Sequence, residues 1–288
     1  MQTSAKMIAD SVSPDGVRLS TIECVLWRPI LAELNTHRAF SRNSASSRAR
    51  SVKKTLQEVL EDTAVPVEIR REHVGMSGGD LLEGDELADA IDVILELRDD
   101  ALRGARRLVE LGVHKSIVNR YIEPFMWHTV VITATDWDNF LEQRLALLDD
   151  GRKGSDPMMH ELALAIKQAL EESTPNELDY AEWHLPYIVD QDRRTQKPSD
   201  LKKISVARCA GVSYLTQGVQ GRDPAKDLAL YERLRNAQPP HWSPFEHVAT
   251  PVRGRRLNMT GQPPIPLRRY NLTGWASLRW FEENSMLN

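Results

Sequence analysis

The chain has 288 residues, of which 41% are hydrophobic and 27% are charged, and its formal net charge is −4. This composition is typical of a soluble globular protein, and no run of about eighteen apolar residues predicts a membrane span. The acidic balance argues against a general nucleic-acid binder. Two cysteines are too few for a disulfide framework, and the N-terminus carries no apolar signal segment, so we expect a cytoplasmic protein with reduced thiols.

The first eighty-four residues predict one strand followed by helices and a loop. Residues 17–27 mix β-branched and apolar side chains, which is typical of a strand. A helix is expected over 30–40, after Pro29, and a short amphipathic helix over 51–62. The glycines of 66–84 indicate a long surface loop.

Helical patterns dominate the middle of the chain. From 85 to 111 the apolar residues recur at helical spacing, and the pattern is so long that we expect a kink or a break. Residues 116–134 are apolar and rich in Val, Ile and Thr. Two more helices are predicted over 136–148 and 158–172.

The whole chain, 1–288, is predicted to form a single catalytic domain. Its C-terminal third is predicted to be a compact segment of that domain. The polar stretch near 189–203 is the expected linker to this segment, which covers 204–288. Within the segment, a helix is predicted for 226–236 and a proline-rich loop for 262–266.

Common nucleotide and metal motifs are missing. The sequence has neither a dinucleotide-binding G-x-G-x-x-G nor a P-loop, and the spacing of its eight histidines does not match zinc-binding motifs. We therefore predict no metal site.

Residues 36–50, THRAFSRNSASSRAR, are dense in guanidinium, hydroxyl and amide groups. Arginine forks and serine hydroxyls are the groups that hold phosphate or pyrophosphate. A solvated serine-rich loop before a helix has the same composition, so the residue types alone leave both interpretations open.

This segment resembles the signature of the flavin-dependent thymidylate synthases, R-H-R followed after seven residues by Ser-x-Arg. Thr36 replaces the first arginine, and Ser44 stands where the family usually has glutamate. The residues that fit the signature are His37, Arg38, Ser46 and Arg48.

Three further segments strengthen the resemblance. They are NRYIEPFMWHTV, similar to R-x-x-L-P-x-x-x-Y-T; DWDNFLEQR, similar to N-F-L-x-x-R; and ARCAGVSY with HWSPFEH, similar to A-R-V-S-Y and H-x-S-P-F-E-H. The residues so matched are Arg120, Pro124, Thr129, Asn139, Arg144, Ser213, His241, Ser243, Glu246 and His247.

The order of the motifs differs from the family pattern. In the family the last two motifs precede R-H-R, whereas here they follow it, which looks like a circular permutation. Such a rearrangement is tolerable where the old termini lie close together at the surface. Gly211 also stands where the family carries an arginine.

The resemblance implies an α/β (α+β) fold in which an antiparallel sheet packs with long helices. It implies a homotetramer whose chains share each FAD, with NADPH as reductant and methylenetetrahydrofolate as carbon donor. The implied reaction is the reductive methylation of dUMP to dTMP. The implied partner is thus a pyrimidine deoxynucleotide monophosphate, with no nucleic acid and no membrane.

The resemblance also implies roles for single residues. Ser46, Arg48 and Arg120 should grip the nucleotide phosphate, and Arg144 should contact the uracil and stabilise charge that develops on the ring. Glu33 falls where the family often has glutamine and should sense the substrate. Ser46, Arg48 and Arg144 are the catalytic candidates, and the candidates for the flavin and folate side are His37, Arg38, Ser41, Asn43, Asn139, Ser213, His241 and Ser243.

Three alternatives stay open at this stage. A relative in the same family could act on dCMP or UMP, or form a hydroxymethyl product. A cysteine-dependent thymidylate synthase would use a thiolate, although neither Cys24 nor Cys209 lies in a sequence like that class's catalytic loop. A non-catalytic nucleotide-binding protein is the third.

Overall fold

The central element of the protein is a five-stranded sheet. The computed structural model describes residues 2–74, 77–212, 223–256 and 265–286. The strand order is β3-β4-β2-β1-β5, antiparallel except for the parallel pair β1 and β5. The strands are β1 Ser4–Val12, β2 Arg18–Trp27, β3 Ser41–Ser44, β4 Trp127–Ala134 and β5 Asn176–Glu177.

Strand β2 confirms the strand predicted for 17–27, and it lies in the middle of the sheet. Its partner β4 pairs with it from Trp27 opposite Trp127 to Ser20 opposite Ala134. Strand β1 was not predicted. Its register shifts between Met7 and Ala9, and such a bulge breaks the alternation by which a strand is recognised in a sequence.

Helices cover the sheet and extend away from it. The helices of the described residues are α1 Leu31–Leu34, α2 Val52–Glu61, α3 Gly84–Glu110, α4 Lys115–Val118, α5 Asp138–Leu145, α6 Pro157–Glu171, α7 Asp190–Thr195, α8 Pro198–Gly211, α9 Pro224–Arg235 and α10 Leu278–Met286. Helices α2, α6 and α9 confirm the predictions for 51–62, 158–172 and 226–236. Helix α6 begins where the Asp156 side chain accepts from the backbone N–H groups of Met158 and Met159.

Four expectations need correction. Helix α3 is continuous, so the expected break is wrong; it contains no proline, and Gly112 ends it with a φ of 75°. The helix expected over 30–40 stops after α1, because the Thr36 hydroxyl and backbone N–H both bind the Glu33 carbonyl oxygen. Helix α5 ends at Leu145 rather than near 148.

The fourth concerns the polar stretch 189–203, which is not an extended linker. It contains α7 and the first turns of α8. Asp192 in α7 is buried and bound to Arg208 in α8, which ties the stretch to the C-terminal part. Polar composition misled the prediction because one carboxylate of the stretch, Asp192, is buried against Arg208, while most of its other charges face solvent.

The mixed α/β class is confirmed, and three apolar clusters among the described residues join the helices to the sheet or to one another. The first lies between the sheet and helices α5 and α6. The second joins α8, α9, α10 and a 3₁₀ turn at Ser243–Glu246. The third joins α2 and α4 to the C-terminal half of α3.

Short strands close the C-terminal part of the fold. They are β6 Ala249–Pro251, β7 Arg255–Arg256, β8 Ile265–Pro266, β9 Arg268–Arg269, β10 Leu272–Thr273 and β11 Trp275–Ser277. Part of the expected loop 262–266 lies outside the described residues. No helix in the described part of the chain is long and apolar enough to cross a membrane.

Candidate active site

Arg144 is the centre of a recessed group of polar side chains. It lies in the last turn of α5, which is anchored to the core by the buried Phe140. Its Nε donates a hydrogen bond to His37 Nε2 at 3.1 Å, and its Nη1 lies 3.8 Å from Glu33 Oε2. Helix α1 and the turn after it thus present Glu33 and His37 to one guanidinium. The structure brings together three residues that the sequence assigned to the site.

The imidazole of His37 is held in its neutral form. Burial lowers the pKa of His37, and the neighbouring Arg144 and Arg42 guanidinium groups lower it further. Because Nε2 accepts from Arg144, the ring proton resides on Nδ1. The ring also packs edge-on against Phe140, with centroids 4.8 Å apart. His37 therefore orients Arg144 without placing a second positive charge beside the guanidinium.

A cleft of about 390 Å³ opens beside Glu33 and Arg144. Its far wall comes from two loops whose residues were not predicted to belong to the site. Lys153 binds Glu68 at 2.7 Å, and Arg152 donates to the Gly78 carbonyl oxygen at 2.6 Å, so these two loops hold each other. No sequence motif marks these loops, because their contacts join residues that lie far apart in the chain. Their side chains in the cleft include Glu68, Arg70, Arg152, Lys153 and Ser155.

A smaller cavity of about 200 Å³ is lined in part by His37. Arg38 and Asn139, both expected on the flavin side, border it and are exposed. Phe40 and Asp136 complete part of its wall. His37 thus lines a pocket of candidate cofactor residues and also accepts the hydrogen bond from Arg144.

The predicted phosphate-binding residues form a separate group on the surface. Ser46, Arg48 and Arg120 are all exposed. The two segments are joined because the side-chain amide of Asn119 donates to the Ser47 carbonyl oxygen at 2.8 Å. The Ser47 hydroxyl also donates to the carboxylate of Glu123, which stands where the family motif has leucine. Among the described residues, no hydrogen bond or ion pair links this group to Glu33, His37 or Arg144.

Asn43 connects three of the sequence motifs. Its amide nitrogen donates to the Cys209 carbonyl oxygen at 2.8 Å, and its amide oxygen accepts from the Ser243 hydroxyl at 3.2 Å. Ser41 is buried in the same strand, and its hydroxyl accepts from Asn271 at 3.3 Å. These three candidates for the cofactor side are therefore bound within the protein. His241 is exposed at the edge of the same region, and Ser213 lies outside the described residues.

Neither thiol is placed to act as a nucleophile. Cys24 and Cys209 are both fully buried. Burial, with a smaller contribution from the neighbouring Glu23 carboxylate, raises the pKa of the Cys24 thiol well above its usual range. In the described part of the chain, no cluster of His, Cys, Asp and Glu side chains could hold a metal ion.

Comparison with known proteins gives a structural likeness only. No protein-family model matches the sequence, and no curated protein matches it. The fold is similar to two crystal structures of the UMP/dUMP methylase PolB from Streptomyces cacaoi, one bound with 5-Br dUMP and one with 5-Br UMP. The identities are 13% and 12%, over 59% of this chain and 90% and 89% of theirs, with TM-scores of 0.47. Identities and TM-scores this low do not support assigning the activity of those proteins to this chain.

Proposed function

We propose that the protein is a flavin-dependent thymidylate synthase-type enzyme that methylates C5 of a pyrimidine nucleoside monophosphate, with dUMP as the substrate that the motifs imply. The observation that carries this proposal is the convergence of Arg144, His37 and Glu33 from two separate motif-like segments. The meeting of separately matched residues in space supports the resemblance.

The arrangement of the two groups supports a site shared between chains. Arg144, His37 and Glu33 form a base half-site, whereas Ser46, Arg48 and Arg120 form a phosphate half-site on the surface. The two cavities next to the base half-site contain none of the phosphate residues. We propose that the base half-site of one protomer meets the phosphate half-site of another in a homotetramer.

The residues of the small cavity fit one end of a flavin but do not enclose one. Its volume of about 200 Å³ is below that of most small-molecule sites, and its polar residues Arg38 and Asn139 are exposed. These exposed donors suit a cofactor that is covered by a second chain. FAD, reduced by NADPH, would supply hydride there, and methylenetetrahydrofolate would supply the carbon.

The chain's own residues would bind the nucleotide and stabilise charge. The terminal nitrogens of Arg144 make no hydrogen bond within the described chain, so they are available to the pyrimidine oxygen atoms. A fixed guanidinium aimed at a ring that gains negative charge lowers the barrier without reorganisation. His37 holds the guanidinium in place, and Arg48 and Arg120 supply charge-assisted hydrogen bonds to phosphate.

Of the alternatives, the cysteine mechanism has the least support. Both thiols are buried, and the pKa of Cys24 is raised, whereas a nucleophilic cysteine needs access and a lowered pKa. A same-family enzyme that acts on another pyrimidine nucleotide remains the second candidate. Glu33 beside Arg144 favours it, because a carboxylate can only accept hydrogen bonds and so changes which groups of a base can pair with it.

The proposal is tested by direct assay of the assembled protein. The flavin-loaded protein is incubated with NADPH, methylenetetrahydrofolate and each pyrimidine monophosphate, and the nucleotides are identified by mass. We expect a gain of one methyl group that requires all components. Flavin-loaded protein that binds nucleotide but leaves every pyrimidine unchanged would contradict the proposal and favour a non-catalytic relative.

A further inference from the structure

Glu33 and Arg144 present unused hydrogen-bonding groups side by side. Arg144 donates a hydrogen bond from Nε to His37, while its Nη1 and Nη2 donate to no group in the described chain. The Glu33 carboxylate lies 3.8 Å from Nη1, too far for a hydrogen bond, and accepts from no other described side chain. Both residues border the 390 Å³ cleft, which is large enough for part of a nucleotide.

The order of these groups forms a pattern that a base can match. A carboxylate only accepts hydrogen bonds, and a guanidinium only donates them. Glu33 Oε2, Arg144 Nη1 and Arg144 Nη2 therefore present an acceptor followed by two donors. Cytosine offers the complement, an amino donor followed by two acceptors, N3 and O2. Uracil offers acceptor, donor and acceptor, so in the same register its O4 faces the carboxylate and its N3–H faces an Arg144 donor. Shifted by one group, uracil can donate N3–H to Glu33 and accept from Arg144 at one carbonyl oxygen, which makes two of the three contacts that cytosine makes.

We propose that Glu33 makes this site prefer a cytosine nucleoside monophosphate over dUMP, the nucleotide that the motifs alone imply. The inference rests on the proposed function only in placing the base against Arg144. The resemblance places a glutamine at position 33, and a neutral amide both donates and accepts, so it can pair with either base. A glutamate there removes the donor that uracil O4 needs and keeps the acceptor that the cytosine amino group needs.

The test compares two nucleotides on three proteins. Equilibrium binding of dCMP and dUMP to the flavin-loaded protein is measured by calorimetry for the wild type, for Glu33→Gln and for Glu142→Gln. Glu142 is exposed on α5 and serves as the matched control. We expect the wild type to bind dCMP roughly tenfold or more tightly than dUMP, the range that one charge-assisted hydrogen bond can supply.

Glu33→Gln is expected to lower this ratio by at least about tenfold, whereas Glu142→Gln keeps it. A wild-type preference for dUMP, or a ratio that Glu33→Gln leaves unchanged, would overturn the inference. Glu33-dependent binding of dCMP without turnover of either nucleotide would refute the proposed catalysis and leave the base preference standing. Binding of neither nucleotide would refute both.

Discussion

Arg144 shows how a single residue on a helix surface becomes part of a site. Its side chain is 18% exposed, and its contacts come from residues more than a hundred positions earlier in the chain. Helix α1 presents Glu33, and the turn after it presents His37 because Thr36 binds the Glu33 carbonyl oxygen and stops the helix. A longer helix, as the sequence pattern predicted, would carry His37 away from Arg144.

Removal of the Arg144 guanidinium should slow the chemical step. Under the proposed function, we expect Arg144→Ala to lower both kcat and kcat/KM, because the contact would strengthen as charge develops on the ring. Arg144→Lys should restore only part of the rate, since an ammonium lacks the planar fork. Steady-state kinetics beside flavin content separate these effects, with Glu142→Ala as the surface control. An unchanged kcat in Arg144→Ala would show that Arg144 is only a helix surface residue.

Two buried histidines should make stability depend on pH. Ser11, His184, Thr21, Thr133 and His247 form a continuous chain of hydrogen bonds that joins β1, β2 and β4 to the C-terminal part. Burial lowers the pKa of both His184 and His247 to about 3, whereas an unfolded histidine keeps a value near 6.5. Between these values the unfolded state binds more protons, so stability should fall as the pH falls from about 6.5 towards 3.

Urea unfolding at a series of pH values measures this dependence. His184→Asn should unfold at lower urea near neutral pH, and its stability should change less steeply across the acid range than that of the wild type. An exposed histidine variant, His114→Asn, provides the control. Equal slopes for the wild type and His184→Asn would contradict the assignment of the pH dependence to this chain of hydrogen bonds.

Helices α7, α8 and α9 are joined by one buried ionic group. The Arg208 guanidinium is 1% exposed, and it binds Asp192 in α7 and Asp227 in α9. A third contact, from Nη1 to the Tyr187 carbonyl oxygen at 2.8 Å, fixes the chain before α7. Loss of the arginine would remove the positive charge that two buried carboxylates share.

We expect Arg208→Ala to destabilise the protein by about 3–5 kcal/mol, the cost of breaking a buried ion pair by removing one side. Lys203→Ala, which removes the surface pair with Glu232, should cost about 1 kcal/mol or less. Chemical unfolding of both variants gives the comparison. A small and equal effect of the two substitutions would show that α7 is not held through Arg208.

The long helix α3 keeps apolar side chains exposed to solvent in a single protomer. Only Leu102 and Ala105 are fully buried in it, whereas Val93 and Leu97 are 53% and 56% exposed. A helix with an apolar stripe needs a partner along that stripe. Together with the separated half-sites, this exposed stripe supports the proposed homotetramer.

Substitution within this stripe should weaken assembly. We expect Leu97→Glu to shift the protein towards smaller species and to reduce flavin occupancy, because the cofactor would lie between chains. Sedimentation velocity with absorbance of the flavin measures both, and Glu96→Gln on the neighbouring exposed position is the control. A wild-type protein that sediments as a flavin-loaded monomer would contradict the tetramer.

The sequence predicted the local parts of this molecule better than its long-range contacts. Strand β2 and helices α2, α6 and α9 follow from periodicity and caps, and the motif residues Arg144 and His37 do meet. The loops that supply Arg152 and Lys153 to the cleft could not be predicted, because their pairing depends on tertiary contacts. The charges of 189–203 indicated a solvated linker, since nothing in the sequence shows that Asp192 has a partner in Arg208.

The most direct test of the account asks whether two inactive variants restore each other. Arg48→Ala removes part of the phosphate half-site, and Arg144→Ala removes the centre of the base half-site. Each variant alone should form little methylated dUMP or dCMP in the presence of FAD, NADPH and methylenetetrahydrofolate. Co-expression should restore activity, because the proposed mixed tetramers would contain sites built from an intact half-site of each chain. Active wild type with no restoration in the mixture would contradict a site shared between protomers.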